Sequence, residues 1–328
     1  HEIGKLNRKG TYGSPYAIKD YFSISSDLGT LEDFKELIDE VHKHGMLIIM
    51  DMVFNHTSPD NVLVESHPEY YFYKNGKRGN RVGDWSDIVD LDHQREDTQQ
   101  YLLSVLKYWK NDVGVDGFRF DVASIITHSL FKKARVALGE ETIFIAESVD
   151  VGFGEYIKSV GQEYTEDENM FPVFDALYSY NYIRELTAFV KGEKPLKDLV
   201  EKLNDRANKL PRICCLENHD LERIASYVKS EKQLRELTRF IFTIAGSPFM
   251  YAGQEYGIKE NVPLFEKNPV KFPIKPNEFY NFVAKLIQQR KERSLKKILD
   301  QSFTQLDENH IELTQYFEDK ILKEIFEF

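Results

Sequence analysis

Short apolar runs alternating with amphipathic helices constrain this chain more than any other feature, because that alternation builds parallel βα units. Between Leu31 and Lys43 the apolar residues Phe34, Leu37, Ile38 and Val41 recur at helical spacing among charged positions, which predicts a helix with one buried stripe. Gly45 stops it, and Met46-Leu47-Ile48-Ile49-Met50 follows as a continuous apolar run, the pattern of a buried parallel strand. The unit repeats. Helices are expected at 98–110, 129–137, 182–190, 196–210 and 231–240, with strands at 115–120, 142–146, 213–216 and about 249–251. Repetition at this density means a parallel sheet, either a barrel or a doubly wound fold.

Two regions break the rhythm. Residues 57–95 are polar, rich in aromatics and turn formers (Pro59, Pro68, Gly76, Gly79, Gly83), and read as an elaborated loop after a strand. After a helix around 277–290, residues 302–328 alternate as short strands, too few for a stable sheet of their own.

The chain has 328 residues, a length that suits two domains or one large α/β barrel with attachments. With 43 basic against 54 acidic residues the net charge is −11, and the basic side chains are scattered among acids. That pattern argues against a nucleic-acid partner. The longest apolar run, 46–53, is interrupted by Asp51, so no membrane-spanning helix is expected. Cys214 and Cys215 are adjacent, with no metal-ligand spacing around them, and are expected to be buried thiols. That usage leans towards a reducing, cytoplasmic compartment over a secreted one.

Ionisable residues gather at the C-terminal ends of the expected strands. Asp51, Asn55 and His56 follow one; Arg119 and Asp121 end the next; Glu147 ends 143–146; His219 and Asp220 follow 213–216. Parallel α/β sheets bind ligands at that edge, and in a barrel all such edges meet at one mouth. Helix capping explains any one of these residues but not the set. Paired carboxylates beside Arg and His, without a nucleophile elbow or a phosphate loop, suit glycoside cleavage. Tyr12, Tyr16, Tyr70, Tyr71, Tyr73 and Trp85 would offer flat faces to sugar rings.

Four ordered segments carry a family resemblance: Asp51-Met52-Val53-Phe54-Asn55-His56, Gly117-Phe118-Arg119-Phe120-Asp121, Ala146-Glu147-Ser148 and Glu217-Asn218-His219-Asp220. With 13–21, Asp90-Leu91-Asp92 and 246–255, the chain resembles the α-amylase family of glycoside hydrolases. The resemblance implies a (β/α)8 TIM barrel with a short domain B loop insertion and the start of a C-terminal β domain. The barrel would comprise 1–56 and 96–297, domain B 57–95, and the β domain 298–328. It also implies retaining cleavage of α-glucosidic bonds in maltodextrin or starch-type glucans. Asp121 would be the nucleophile, Glu147 the general acid/base and Asp220 the aspartate that holds the distorted sugar; Tyr16, His56, Arg119 and His219 would contact substrate.

A fixed cation two residues from Asp121 should favour its ionised form, and apolar neighbours should raise the pKa of Glu147. Asp51 and Asp20 are expected to play structural roles at strand ends. No cofactor is required by the resemblance. Asn55 and Asp92 match ligands of a structural Ca2+, although Ile125 stands where calcium-dependent members carry His. Ser124, in place of a Lys common in endo-acting members, leaves a strictly endo mode open, and Val122 is shared with α-1,6-acting members. The family's first strand would precede His1, so the chain is expected to be a fragment of a longer enzyme. Two alternatives stay open: an α-glucanotransferase using the same covalent intermediate, and a non-catalytic carbohydrate- or partner-binding paralogue or an inactive fragment.

Overall fold

In the computed structural model, the described residues are 9–10, 13–82, 85–205, 211–294 and 297–328. The chain divides into two compact units, one of His1–Leu177 with Leu264–Lys267, the other of Tyr178–Pro263 with Asn268–Phe328.

The first unit is organised by parallel strands. Ile49–Met52, Gly117–Phe120 and Ile143–Ala146 lie side by side, and the start of Ala176–Tyr178 pairs with the last of these. Their register is in step: Asp51 is level with Arg119, and Arg119 with Ile145. Alternation along a strand then assigns the faces. Met52, Phe118, Phe120, Phe144 and Ala146 enter the core, where Phe120, Phe131 and Phe174 pack edge to face with ring centroids 4.9–5.9 Å apart. The opposite parity holds Asp51 and Arg119, and two residues further on, Asp121 and Glu147. Gly117 is required by this pairing, because a Cβ there would collide with the Ile143 carbonyl oxygen.

The helices follow their sequence signals. Thr30 and Asp33 form a capping box that starts Leu31–Lys43, and Gly45 turns the chain with a φ of 68°. Glu96–Lys107 runs into a π turn at Tyr108–Val113, and Trp109 there donates from Nε1 to the Tyr21 carbonyl at 2.7 Å. His128–Leu138 precedes the strand Ile143–Ala146, as expected.

One strand is displaced from its expected place. Pairing begins at Ile49, and Met46 and Leu47, ahead of the first ladder pair, are exposed. Residues 57–95 contain a short helix at Leu63–Ser66 and a hairpin, Tyr73–Lys74 with Lys77–Arg78. Asn75 and Gly76 take left-handed conformations at its tip, the backbone a two-residue hairpin turn demands.

In the second unit the helices Tyr180–Val190, Leu196–Leu203, Glu231–Thr243 and Glu278–Ser294 accompany a short parallel pair, Arg212–Cys214 with Ser247–Pro248. The strand expected at 249–251 therefore lies earlier; Phe249 still donates to the Cys214 carbonyl, and the chain then turns at Tyr251. Residues 206–210 of the expected helix 196–210 lie outside the described residues. Both cysteines are free and buried. Asp300–Gln305, His310–Tyr316 and Ile321–Glu327 form an antiparallel sheet. It does not stand on three strands alone, since Phe303, Ile311, Leu313 and Phe326 join the apolar cluster around Phe240. No helix among the described residues is long and apolar enough to cross a membrane.

Candidate active site

In the first unit, strand parity delivers four ionisable side chains to one place. Arg119 Nη1 stands 2.9 Å from Asp51 Oδ1 and 2.9 Å from Asp121 Oδ1, and Nη2 stands 2.9 Å from Glu147 Oε2. One guanidinium thus serves three carboxylates, the planar geometry that suits arginine to this task. Arg119, Asp121 and Glu147 are buried, while Asp51 is half-exposed. Asp51, at its strand end, joins the cluster through Arg119, and its Oδ2 also accepts from the Tyr16 hydroxyl at 2.9 Å.

Burial, then the neighbouring Glu147, holds the Asp121 carboxyl well above the usual carboxylate range. Arg119 acts in the expected direction but does not prevail, because desolvation at a fully enclosed carboxyl is the larger effect. Val122 follows with φ 39° and ψ 40°, a left-handed backbone that a β-branched residue adopts only under constraint. The constraint is visible: its N–H donates to Glu147 Oε2 at 2.8 Å. Glu147 Oε2 thus faces both the Val122 N–H, as a hydrogen-bond acceptor, and the Arg119 guanidinium, as an ion-pair partner, and its other oxygen takes neither contact.

His56 is buried beside this cluster's Tyr16. Its Nε2 lies 3.1 Å from the Tyr16 carbonyl oxygen, and burial lowers its pKa to about 4, so the ring is neutral and donates. Trp85 meets the His56 ring edge to face at 5.6 Å.

His219 and Asp220 belong to the second unit, where His219 Nε2 is 3.1 Å from Asp220 Oδ2. Their turn is fixed from inside. Asn218 Oδ1 accepts from the Asp220 N–H, and Asn218 Nδ2 donates to the Tyr180 hydroxyl, each at 2.8 Å. Glu217, part of the sequence motif without an assigned role, is fully buried and accepts from Arg223 Nη1 and the Ile224 N–H, both at 2.7 Å. Burial raises its pKa and Arg223 opposes that shift. Glu217→Ala, which strands the Arg223 charge, should destabilise the protein by about 3–5 kcal/mol, and replacing both partners with Leu and Met should recover most of the loss. Urea unfolding of the three proteins measures this.

A family model described as the alpha amylase catalytic domain matches residues 10–281. The chain belongs to the alpha-amylase family. It is 33% identical to an alpha-amylase from Lactobacillus plantarum of known structure, with a TM-score of 0.91 over 98% of this chain and 77% of that one. A noncanonic maltogenic alpha-amylase from Thermotoga neapolitana superposes with a TM-score of 0.85 at 30% identity, over 100% of this chain and 75% of that chain. The intracellular maltogenic amylase of Bacillus subtilis is 28% identical over 90% of this chain and 51% of its own length. The chain spans about half the length of the curated relatives it matches. The fold is accordingly the family's α/β TIM barrel with a small C-terminal antiparallel sheet.

The calcium ligands that membership in the alpha-amylase family suggests fit poorly. Asn55 Oδ1 already accepts from Gln162 Nε2 at 2.8 Å, and the same nitrogen donates to the Ile125 carbonyl at 2.8 Å. Asp92 makes no hydrogen bond to Asn55, Gln162 or Ile125, and no cluster of three or more His, Cys, Asp or Glu side chains that could hold a metal exists among the described residues. The expected aromatic platform also contracts. Tyr70 and Tyr71 are core residues, Tyr71 bonding Thr57 through its hydroxyl; Tyr73 is exposed on the hairpin, and Tyr12 lies outside the described residues. Tyr16 and Trp85 remain. Gln162 was missed, because its buried partner Asn55 lies 107 residues away and leaves no local pattern; Val122 and Glu217 were read in the sequence, but not the strained backbone of the one or the buried ion pair of the other.

Proposed function

We propose that this chain is the catalytic part of a retaining glycoside hydrolase that cleaves α-glucosidic linkages in maltodextrin or starch-type glucans. The observation that carries the reading is the single Arg119 guanidinium bridging Asp121 and Glu147 at the ends of adjacent parallel strands. Two carboxylates on one such fork favour the short spacing of a retaining pair, about 5–5.5 Å, over the wider gap that admits a water in inverting enzymes. Asp121 attacks the anomeric carbon, while Glu147 protonates the leaving oxygen and then deprotonates the incoming water. Asp220 and His219 bind the distorted sugar, and Tyr16 and His56 contact it in the reacting subsite. Residues 57–95 serve as a short domain B, and 298–328 as the beginning of the C-terminal β domain.

Early-time proton NMR of maltoheptaose incubated with the protein tests the reading. New reducing ends should appear first as the α-anomer. A β-anomer appearing first would refute the double displacement, and products longer than seven units would make the chain a glucanotransferase.

A further inference from the structure

We infer that the Gln162 amide nitrogen is a built-in substitute for a cation and, through Asn55, a positioning residue for His56. Gln162 follows the helix Val151–Ser159, where Gly161 reverses the chain at φ 83° and the Gln162 N–H closes onto the Ile157 carbonyl. Its side chain then enters the first unit and is buried. The two hydrogens on Nε2 go to Asn55 Oδ1 and the Ile125 carbonyl oxygen, each at 2.8 Å. These oxygens come from segments 70 residues apart, as 125 − 55 shows, and point at one spot.

Two converging carbonyl oxygens are about a third or less of the six to eight ligands a hard cation takes, and all that one NH2 group can satisfy. The opposite amide orientation would set a third oxygen against them, so the hydrogen-bond partners fix the assignment. His93 does not compete. Its Nδ1 accepts the Thr127 N–H at 3.1 Å, which puts the ring proton on Nε2, 3.4 Å from the Gln162 nitrogen. Gln162 Oε1 is buried with no hydrogen-bond partner among the described residues.

The arrangement continues towards the reacting subsite. With Oδ1 occupied, Asn55 directs Nδ2 at His56 Nδ1, 3.1 Å away. His56 Nδ1 must then be unprotonated, and Nε2 carries the proton donated to the Tyr16 carbonyl. One buried amide thereby supports from the Nδ1 side the tautomer that the Tyr16 carbonyl favours at Nε2, as outer partners do for metal-bound histidines. The positioning half rests on the proposed role of His56 as a sugar contact, whereas the substitution half does not.

Thermal unfolding of the intact protein in EDTA and in calcium chloride, with Gln162→Glu and Gln162→Met, separates the two halves. The parent should melt at the same temperature in both, because no cation is linked to its folding. Gln162→Glu places a carboxylate oxygen against two carbonyl oxygens; it should melt lower in EDTA and recover in calcium. Gln162→Met should melt lower in both. A parent melting temperature that rises with calcium overturns the substitution, as does a Gln162→Glu protein that calcium leaves unchanged. For positioning, 15N NMR of the imidazoles should show His56 as the Nε2–H tautomer in the parent and a tautomer mixture in Gln162→Met. The kcat on maltoheptaose should fall about 10–100-fold in Gln162→Met with KM nearly unchanged. An unchanged His56 tautomer in Gln162→Met overturns the positioning role even if the protein proves inactive on every glucan.

Discussion

Asp121→Ala should lower kcat on maltodextrins by about 10^4-fold or more, a loss of about 5.4 kcal/mol of transition-state stabilisation, while leaving substrate binding largely intact. The reason lies in where the residue stands. Asp121 follows its strand directly, its own N–H still bonded to the Met52 carbonyl at 3.0 Å, so its carboxylate is held by the sheet. Removing it removes the covalent step for every substrate, whatever the leaving group. The fold should tolerate the change, because Arg119 keeps Asp51 and Glu147 as partners. Attack requires the ionised form, which burial and Glu147 disfavour and Arg119 defends. The proposed chemistry needs the nucleophile ionised while the acid has a proton to give to the leaving oxygen. Isothermal titration with maltoheptaose should find comparable affinity for both proteins. If turnover survives in Asp121→Ala within tenfold, Asp121 is not the nucleophile.

Much of this was legible because strands have a period of two. Once Met46–Met50 and 115–120 are read as neighbouring parallel strands, Asp51, Arg119, Asp121 and Glu147 fall on one face by counting. What counting cannot supply is depth. Arg119 is a cation that should favour ionised Asp121, but enclosure outweighs it, and enclosure is a property of the packed unit. The same blindness misplaced Tyr70 and Tyr71, since a polar, aromatic loop looks solvent-facing until it packs against Tyr101 and Leu91. Gln162 sits 107 residues from its partner Asn55 and carries no motif, so only folding brings them together. Glu217 was visible in its motif, yet its partners Arg223 and Ile224 make it an anchor for the turn carrying His219 and Asp220.

Glu147→Gln should separate the two carboxylates by role. On maltoheptaose its kcat should fall about 10²–10⁴-fold, the contribution of a positioned proton donor. On an aryl α-glucoside with an acidic phenol, departure needs no proton, so the glycosyl-enzyme should form readily and release phenol in a burst. Water then lacks its base and the steady state stalls. Azide, which needs no base, should restore turnover and yield the α-glycosyl azide, because two displacements at one carbon retain its configuration. Asp121→Ala should show no burst, since it cannot form the intermediate, and any azide product from it should be the β-glycosyl azide of a single displacement. The substitution is mild structurally: the glutamine oxygen can keep the Val122 N–H, so the left-handed turn after the nucleophile retains its partner. Equal losses on maltoheptaose and the activated glucoside would remove Glu147 from the acid role and leave it as a brace for Arg119 and Val122. A β-azide would instead mean direct attack on the glucoside, with Asp121 shielding a face and forming no bond to the sugar.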